Sequence, residues 1–157
     1  MSEKKIVSIG EIQRRIPKDK TVVFTNGCFD IIHKGHVEYL RKARALGDFL
    51  IIGVNSDESM EKIKGSKRPI MTFENRSAVL AAFEFVDIII QFHDQTPIKL
   101  INLVKPDILV KGADYQIKDI VGADFVISKG GKVKTIELEK GYSTSQIIQT
   151  IKERYCQ

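Results

Sequence analysis

The sequence predicts an α/β fold in which a doubly wound parallel sheet carries helices on both faces. Short apolar, β-branched runs alternate along the 157 residues with stretches of helical periodicity. The central runs are apolar throughout rather than alternately polar, as strands covered on both sides are. The residues with chemistry to offer follow the runs, so they gather at the carboxyl edge of the sheet, where such folds bind ligands.

Residues 1–18 read as a small amphipathic extension with no catalytic signal. Thr21-Val22-Val23-Phe24-Thr25 is the first buried strand, ended by the turn-forming pair Asn26-Gly27. From Val37 the apolar residues Val37, Leu40, Ala43, Ala45 and Leu46 recur at near-helical spacing until Gly47, which predicts a helix over 37–46. Further strands are expected at Phe49 to Val54, Val86 to Ile90, Ile108 to Val110 and Val133 to Ile136, and helices over 73–84, 97–104 and 144–154. Between them Lys62, Lys64, Lys67 and Arg68 cluster with Gly65 and Pro69, the composition of a basic loop. Thr96-Pro97 reads as an N-cap followed by proline at the first helical position. Ser143-Thr144-Ser145-Gln146 reads as a capping box, and the isolated His93 as a surface residue.

Composition narrows the classes. An apolar content of 43% fills one ordinary core, and no Pro/Gly/Ser-rich linker divides the chain, so a single domain over residues 1–157 is expected. No apolar run approaches the ~18 residues of a membrane span, and Met1-Ser2-Glu3-Lys4-Lys5 leads into polar sequence. The two cysteines give no disulfide framework, which fits a reducing compartment and a cytoplasmic protein. A net charge of +5 without a basic stripe or interleaved aromatics argues against a nucleic-acid partner. A homodimer is the expected assembly.

The segment Gly27-Cys28-Phe29-Asp30-Ile31-Ile32-His33-Lys34-Gly35-His36 places two histidines three apart at a strand-to-helix turn. The first turn of a helix has unpaired N–H groups and a partial positive charge, both suited to phosphate oxygens. Gly27 and Gly35 allow close approach to the backbone, and His33 and His36, at i and i+3, share one face and can offer N–H groups to one anion. Two other readings stand beside this one: satisfied structural histidines, and a metal pair completed by Cys28. The second is weakened by the distance to Cys156 and the lack of a CxxC pair.

At these residues the chain resembles the HxGH-motif nucleotidyltransferases. Asn55-Ser56-Asp57, Lys64-Gly65, Arg68-Pro69, Glu74-Asn75-Arg76, the segment from Asp107 to Tyr115 and Gly141-Tyr142-Ser143-Thr144-Ser145 follow in the order expected of them. The Asn-Gly-Cys-Phe-Asp opening and the Lys-Gly-Ala-Asp-Tyr segment look like the heptose 1-phosphate adenylyltransferase domain of the bacterial ADP-heptose pathway, here in free-standing form. The resemblance implies a Rossmann-like nucleotidyltransferase fold and transfer of AMP from ATP to D-glycero-β-D-manno-heptose 1-phosphate, with Mg²⁺ accompanying ATP. Two alternatives remain: a cytidylyltransferase or other adenylyltransferase acting on another phosphorylated alcohol, and a non-catalytic nucleotide-binding regulator.

Roles are assigned accordingly. His33, His36 and Lys64 are the catalytic candidates, with His33 and His36 on the triphosphate and Lys64 in the basic loop. Asn26, Gly27, Cys28, Phe29 and Gly35 are expected to cradle the nucleotide; the resemblance adds Gly112, Asp114, Tyr115, Ser143, Thr144 and Ser145 for the base. Asn55, Arg68 and Arg76 are acceptor-contact candidates, Arg76 being equally suited to a surface ion pair. Asp30 is suited to orienting a neighbouring loop or histidine. Two departures from relatives stand out: Cys28 occupies a position where many have threonine, and Glu137-Leu138-Glu139-Lys140 lacks the arginine of cytidylyltransferases, with Lys140 as a substitute of different geometry. No carboxylate cage is visible, so Mg²⁺ is expected to be held mainly by phosphate and water. A phosphate monoester is already ionised near neutrality, its second pKa being about 6, so no enzymic base is expected.

Overall fold

The structure is a computed structural model describing residues 2–156, with side chains from residue 4 onward. Six strands, β1 (Ile6–Val7), β2 (Val22–Gly27), β3 (Phe49–Asn55), β4 (Ile88–Phe92), β5 (Ile108–Gly112) and β6 (Lys132–Ile136), form one sheet. Their order is β1-β4-β3-β2-β5-β6, and every pairing is parallel. From β2 the chain winds outward through β3 to β4, then returns to the other side of β2 for β5 and β6. That reversal makes the gap between β2 and β5 the switch point. The two strands pair only at Val23 with Ile108 and Phe24 with Leu109, so they are unpaired towards Gly27 and Gly112 and leave a crevice there.

Strand side chains alternate between two cores, one on each sheet face. Val22, Phe24, Ile51, Ile88, Ile90 and Leu109 pack with residues of α1 (Ile12–Arg15), α5 (Ile98–Val104) and α6 (Ala123–Ser128). Val23, Leu50, Ile52, Val54, Ile89, Ile108 and Val110 pack with α2 (Lys34–Arg44) and α4 (Phe73–Ala81) on the other face. Each fully buried Ile, Leu or Val removes apolar surface worth roughly 1.5–3 kcal/mol from water, which is why both faces of these strands are apolar. Two further helices, α3 (Asp57–Lys64) and α7 (Thr144–Tyr155), flank the carboxyl edge of the sheet.

The departures from the sequence reading have local causes. The amino-terminal extension contributes β1, which joins the sheet edge beside β4 through Ile6 opposite Ile89 and Val7 opposite Ile90. Helix α2 begins at Lys34, inside the histidine motif, because His33 caps it. The first half of the expected basic loop is helical: Ser56 caps α3, Asp57 and Glu58 occupy its first turn, and Lys62 and Lys64 its last. Strand β4 lies two residues later than expected, since Val86 and Asp87 precede the regular strand. Pro97, not Thr96, is the N-cap of α5, and no side chain bonds there, so Thr96 is not a cap. Ser143 caps α7 by accepting from Gln146 N–H at 3.0 Å; among the described residues the Gln146 side chain makes no return bond to it. His93 is exposed, as expected.

Candidate active site

The histidine turn is held by reciprocal hydrogen bonds. His33 Nδ1 accepts from Gly35 N–H at 3.1 Å, and His36 Nδ1 accepts from His33 N–H at 3.2 Å. Because each Nδ1 accepts a hydrogen bond, each neutral ring carries its proton on Nε2. Among the described residues neither Nε2 has a protein acceptor. The rings lie 3.9 Å apart, centroid to centroid, at 34°. Burial pushes the His36 imidazole down to about 4, with His33 adding a smaller repulsion, and burial lowers His33 as well. Both rings are therefore neutral donors at neutral pH. The structural reading accounts for one nitrogen of each ring, and the other is without a protein acceptor among the described residues. Gly35 is needed for a reason the sequence did not suggest: a Cβ there would stand 2.8 Å from His33 Cε1.

Asp30 and Arg76 build the scaffold around this turn. Asp30 lies between Phe29 and Ile31, both left-handed at φ 52°, a conformation unfavourable for a β-branched residue such as Ile31. Its carboxylate accepts from Arg68 Nε at 2.7 Å and from Ile70 and Met71 N–H at 2.8 Å each. Burial alone would raise the Asp30 carboxyl, but these donors hold it below the usual carboxylate value. Its backbone carbonyl accepts from Thr144 Oγ1 at 2.7 Å, which ties the start of α7 to the same turn. Asp30 thus fixes the segment that follows α3, the orienting role expected of it.

Arg76 corrects the sequence reading. It is fully buried rather than facing an acceptor or solvent. Its guanidinium donates to Met71 O at 3.0 Å, Asn55 O at 2.9 Å, Asp57 Oδ1 at 2.7 Å and Cys28 O. It joins the ends of β2 and β3 to the start of α4 and has no free face for a substrate.

Two cavities open at the switch point and share one wall. The first, about 300 Å³, is lined by Asn26, Gly27, Cys28, Phe29, His33, Gly35, His36, Gly112, Asp114 and Tyr115 among the sequence candidates, and also by Tyr39, Lys111, Leu138, Glu139 and Tyr142. The second, about 410 Å³, takes in Asn55, Lys64 and Arg68, together with Gln95, Thr96 and Asp119. Asn26 to Phe29, His36, Lys111 and Tyr115 belong to both. Ser143 lies with His33 on an adjoining groove, Thr144 is engaged with Asp30, and Ser145 is exposed and lines none of these spaces. Lys140 is exposed and lines neither cavity. Cys28 reaches Asn55 Oδ1 through Sγ at 3.8 Å, and burial pushes its thiol up, so it is a neutral thiol. Among the described residues no group of three or more His, Cys, Asp or Glu side chains is placed to hold a metal ion.

A sequence profile of the cytidylyltransferase-like family matches residues 24–150, the whole of this constellation. The chain belongs to that family. Nucleotidyl transfer is accordingly its class of reaction, on a Rossmann-like sheet. The nucleotidyltransferase is 54% identical over 153 residues to the bifunctional protein HldE of Campylobacter jejuni subsp. doylei, covering 97% of this chain and 32% of that protein. It thus spans about a third of the length of such curated relatives. Among solved structures, a lipopolysaccharide core biosynthesis protein from Thermoplasma volcanium is 31% identical, with a TM-score of 0.61, covering 79% of this chain and 99% of that one. The pantoate-β-alanine ligase of Francisella tularensis shares the fold alone, at 17% identity and a TM-score of 0.61 over 97% of this chain and 79% of its own. No helix among the described residues of the nucleotidyltransferase is long and apolar enough to cross a membrane.

Sequence reasoning passed over several lining residues of the nucleotidyltransferase. Lys111 and Tyr142 lay inside quoted segments without being singled out, and their positions immediately before Gly112 and Ser143 were the available signal. Tyr39 looks like ordinary helix core in sequence; its hydroxyl is 2.9 Å from Thr25 Oγ1, and only the fold brings it to the cavity. Gln95 and Thr96 follow β4, so they arrive at the ligand edge by the same rule as the other candidates.

Proposed function

We propose that the enzyme transfers AMP from ATP to D-glycero-β-D-manno-heptose 1-phosphate, giving ADP-heptose and pyrophosphate. The observation that carries the transfer step is the pair of neutral imidazoles whose Nδ1 atoms are bound to backbone, so that both Nε2–H groups serve as fixed donors at the cleft wall. An acceptor phosphate oxygen attacks the α-phosphorus, the bond from that phosphorus to the bridging oxygen of the β-phosphate breaks, and pyrophosphate leaves. The acceptor arrives ionised, so no proton has to be removed by a side chain. His33 and His36 donate to phosphate oxygens as charge shifts onto them, and fixed donors of this kind need no reorganisation during the step.

The first cavity takes the nucleotide. Gly112, Asp114 and Tyr115 face the adenosine, and the turn from Asn26 to Phe29 faces the phosphates. Ser143 and Thr144 supply the α7 amino terminus beside His33, with Ser145 outside the cleft. The second cavity takes the acceptor against Asn55 and Arg68, while Lys64, at the exposed end of α3, reaches the phosphates from the same side. Mg²⁺ bound with ATP would be held mainly by phosphate and water and would neutralise phosphate charge, with the Glu139 carboxylate of the nucleotide cavity suited to its outer shell. The choice of heptose rests on the Asn26 to Asp30 and Lys111 to Tyr115 segments and on the similarity to HldE. ATP use fits the cytoplasm. A homodimer is the proposed assembly, in keeping with an α7 that has no buried residue and leaves Ile151 and Tyr155 exposed.

The test is pyrophosphate release with ATP, CTP, GTP and UTP, each against heptose 1-phosphate and glycerol 3-phosphate. A site that hydrogen-bonds several sugar hydroxyls rejects an acceptor lacking them, because its polar groups are left unpaired. The expected result is the highest kcat/KM for ATP with heptose 1-phosphate. A higher value for CTP with glycerol 3-phosphate would retain nucleotidyl transfer and overturn the named acceptor.

A further inference from the structure

The proposed reaction brings together two anions, a nucleotide α-phosphate and an acceptor phosphate, and the two cavities differ in the charge of their lining residues. Among its lining residues the first cavity has a single lysine or arginine, Lys111, beside the carboxylates of Asp114 and Glu139. The second has Lys64, Arg68 and again Lys111. His36 also belongs to both walls but is neutral, its pKa lowered to about 4 by burial and by His33. Lys111 is therefore the one lysine or arginine among the described residues that lines both spaces.

Its setting is unusual for a lysine. It is the penultimate residue of β5, at the switch point, where β2 and β5 no longer pair. Its Nζ donates to Asn26 O at 3.2 Å across the gap and stands 5.2 Å from the Tyr115 ring centroid. Among the described residues it has no carboxylate partner, whereas Arg68 and Arg76 are each paired with an aspartate. An ammonium group carries three donors, and one is used. A half-buried cation without a counter-ion is costly to the fold, so its position needs a reason other than packing. Burial lowers the Lys111 pKa, with Cys28 and Asp114 only partly opposing, which agrees with a group awaiting an anion.

We propose that Lys111 is a further catalytic residue, whose two free Nζ donors hold a non-bridging oxygen of the nucleotide α-phosphate on one side and an oxygen of the acceptor phosphate on the other. This rests on the nucleotidyl-transfer reading of the site. One point charge between the two anions turns their mutual repulsion into a shared attraction and sets the attacking oxygen against the phosphorus. A guanidinium fork would pair with one phosphate bidentately, whereas an ammonium can divide its donors between two.

Lys111→Met keeps the length and removes the charge, and Lys111→Arg restores the charge with the wrong geometry. The proposal expects kcat with ATP and heptose 1-phosphate to fall at least about 100-fold in Lys111→Met, with part recovered in Lys111→Arg. Tm should not fall in Lys111→Met, since an unpaired buried charge has been removed. A second readout is independent of turnover: calorimetric Kd for inorganic phosphate, with and without saturating α,β-methylene-ATP. The ratio of the two values should worsen by about tenfold or more in Lys111→Met, because two phosphates then meet without their shared cation. A purely structural lysine would leave that ratio unmoved. Wild-type turnover in folded Lys111→Met, or an unchanged ratio, overturns the proposal. If the wild-type protein releases no pyrophosphate with any sugar phosphate, the functional reading fails, and the phosphate-binding ratio still decides the role of Lys111.

Discussion

At the residue scale, each ring of the His33–His36 pair is divided between two tasks. Nδ1 accepts from the backbone and orders the start of α2, while Nε2–H is the donor assigned to phosphate in the proposed transfer. Alanine therefore confuses two effects, since loss of a cap alone removes about 1 kcal/mol. Asparagine separates them, because its Oδ1 stands where Nδ1 stood and its side chain stops short of Nε2. His33→Asn and His36→Asn should each lower kcat by about 100-fold, as expected for loss of one fixed donor, with denaturant midpoints close to wild type. Turnover near wild type in both would return the histidines to a capping role alone. The strand-to-helix turn that carries this pair was legible in the sequence because the whole device lies within ten contiguous residues. Arg76 was not, because its acceptors Cys28, Asn55 and Met71 come from three separated segments and an arginine is ordinarily exposed.

At the scale of elements, α3 and the segment joining it to α4 form a unit anchored at one carboxylate. Its helical half carried readable signals, an N-cap at Ser56 with acids in the first turn and lysines in the last. Only Ser59 and Met60 are buried in α3, so it has no apolar stripe and periodicity could not reveal it. The short β1 and α6 escaped for a similar reason, being two and six residues long. The remaining half, residues 65–72, is held by Asp30 through Arg68, Ile70 and Met71. Asp30→Asn keeps one acceptor oxygen and turns an amide N–H towards groups that are themselves donors. That change should destabilise the protein by about 2–4 kcal/mol. Hydrogen exchange at the Ile70 and Met71 amides should accelerate more than at β3. Equal protection in the variant and the parent would show that Asp30 does not hold the segment.

For the whole molecule, the doubly wound sheet was legible because its central strands are apolar on both faces, and the ligand edge followed from the strand order; what sequence could not give was the splaying of β2 from β5. The acid limit of the fold follows from its buried imidazole. His36 has a folded pKa of about 4 against 6.5 for the free side chain, so the unfolded chain binds more protons between those values. Stability is then complete above pH 6.5 and is lost as pH falls towards about 4, by an amount of roughly 3 kcal/mol at most. His36→Asn should flatten that slope in urea titrations, and an unaltered slope would assign acid sensitivity to other groups. The shared wall between the two cavities bears on inhibitor chemistry. On the proposed assignment of the two cavities, a ligand joining an adenosine unit to a phosphorylated polyol through a short non-scissile linker would occupy both spaces while losing translational freedom once, so its affinity should exceed what either fragment reaches separately. Selectivity could then be sought in the polyol arm, leaving the nucleotide arm, which other ATP-using enzymes also recognise, to serve only as an anchor.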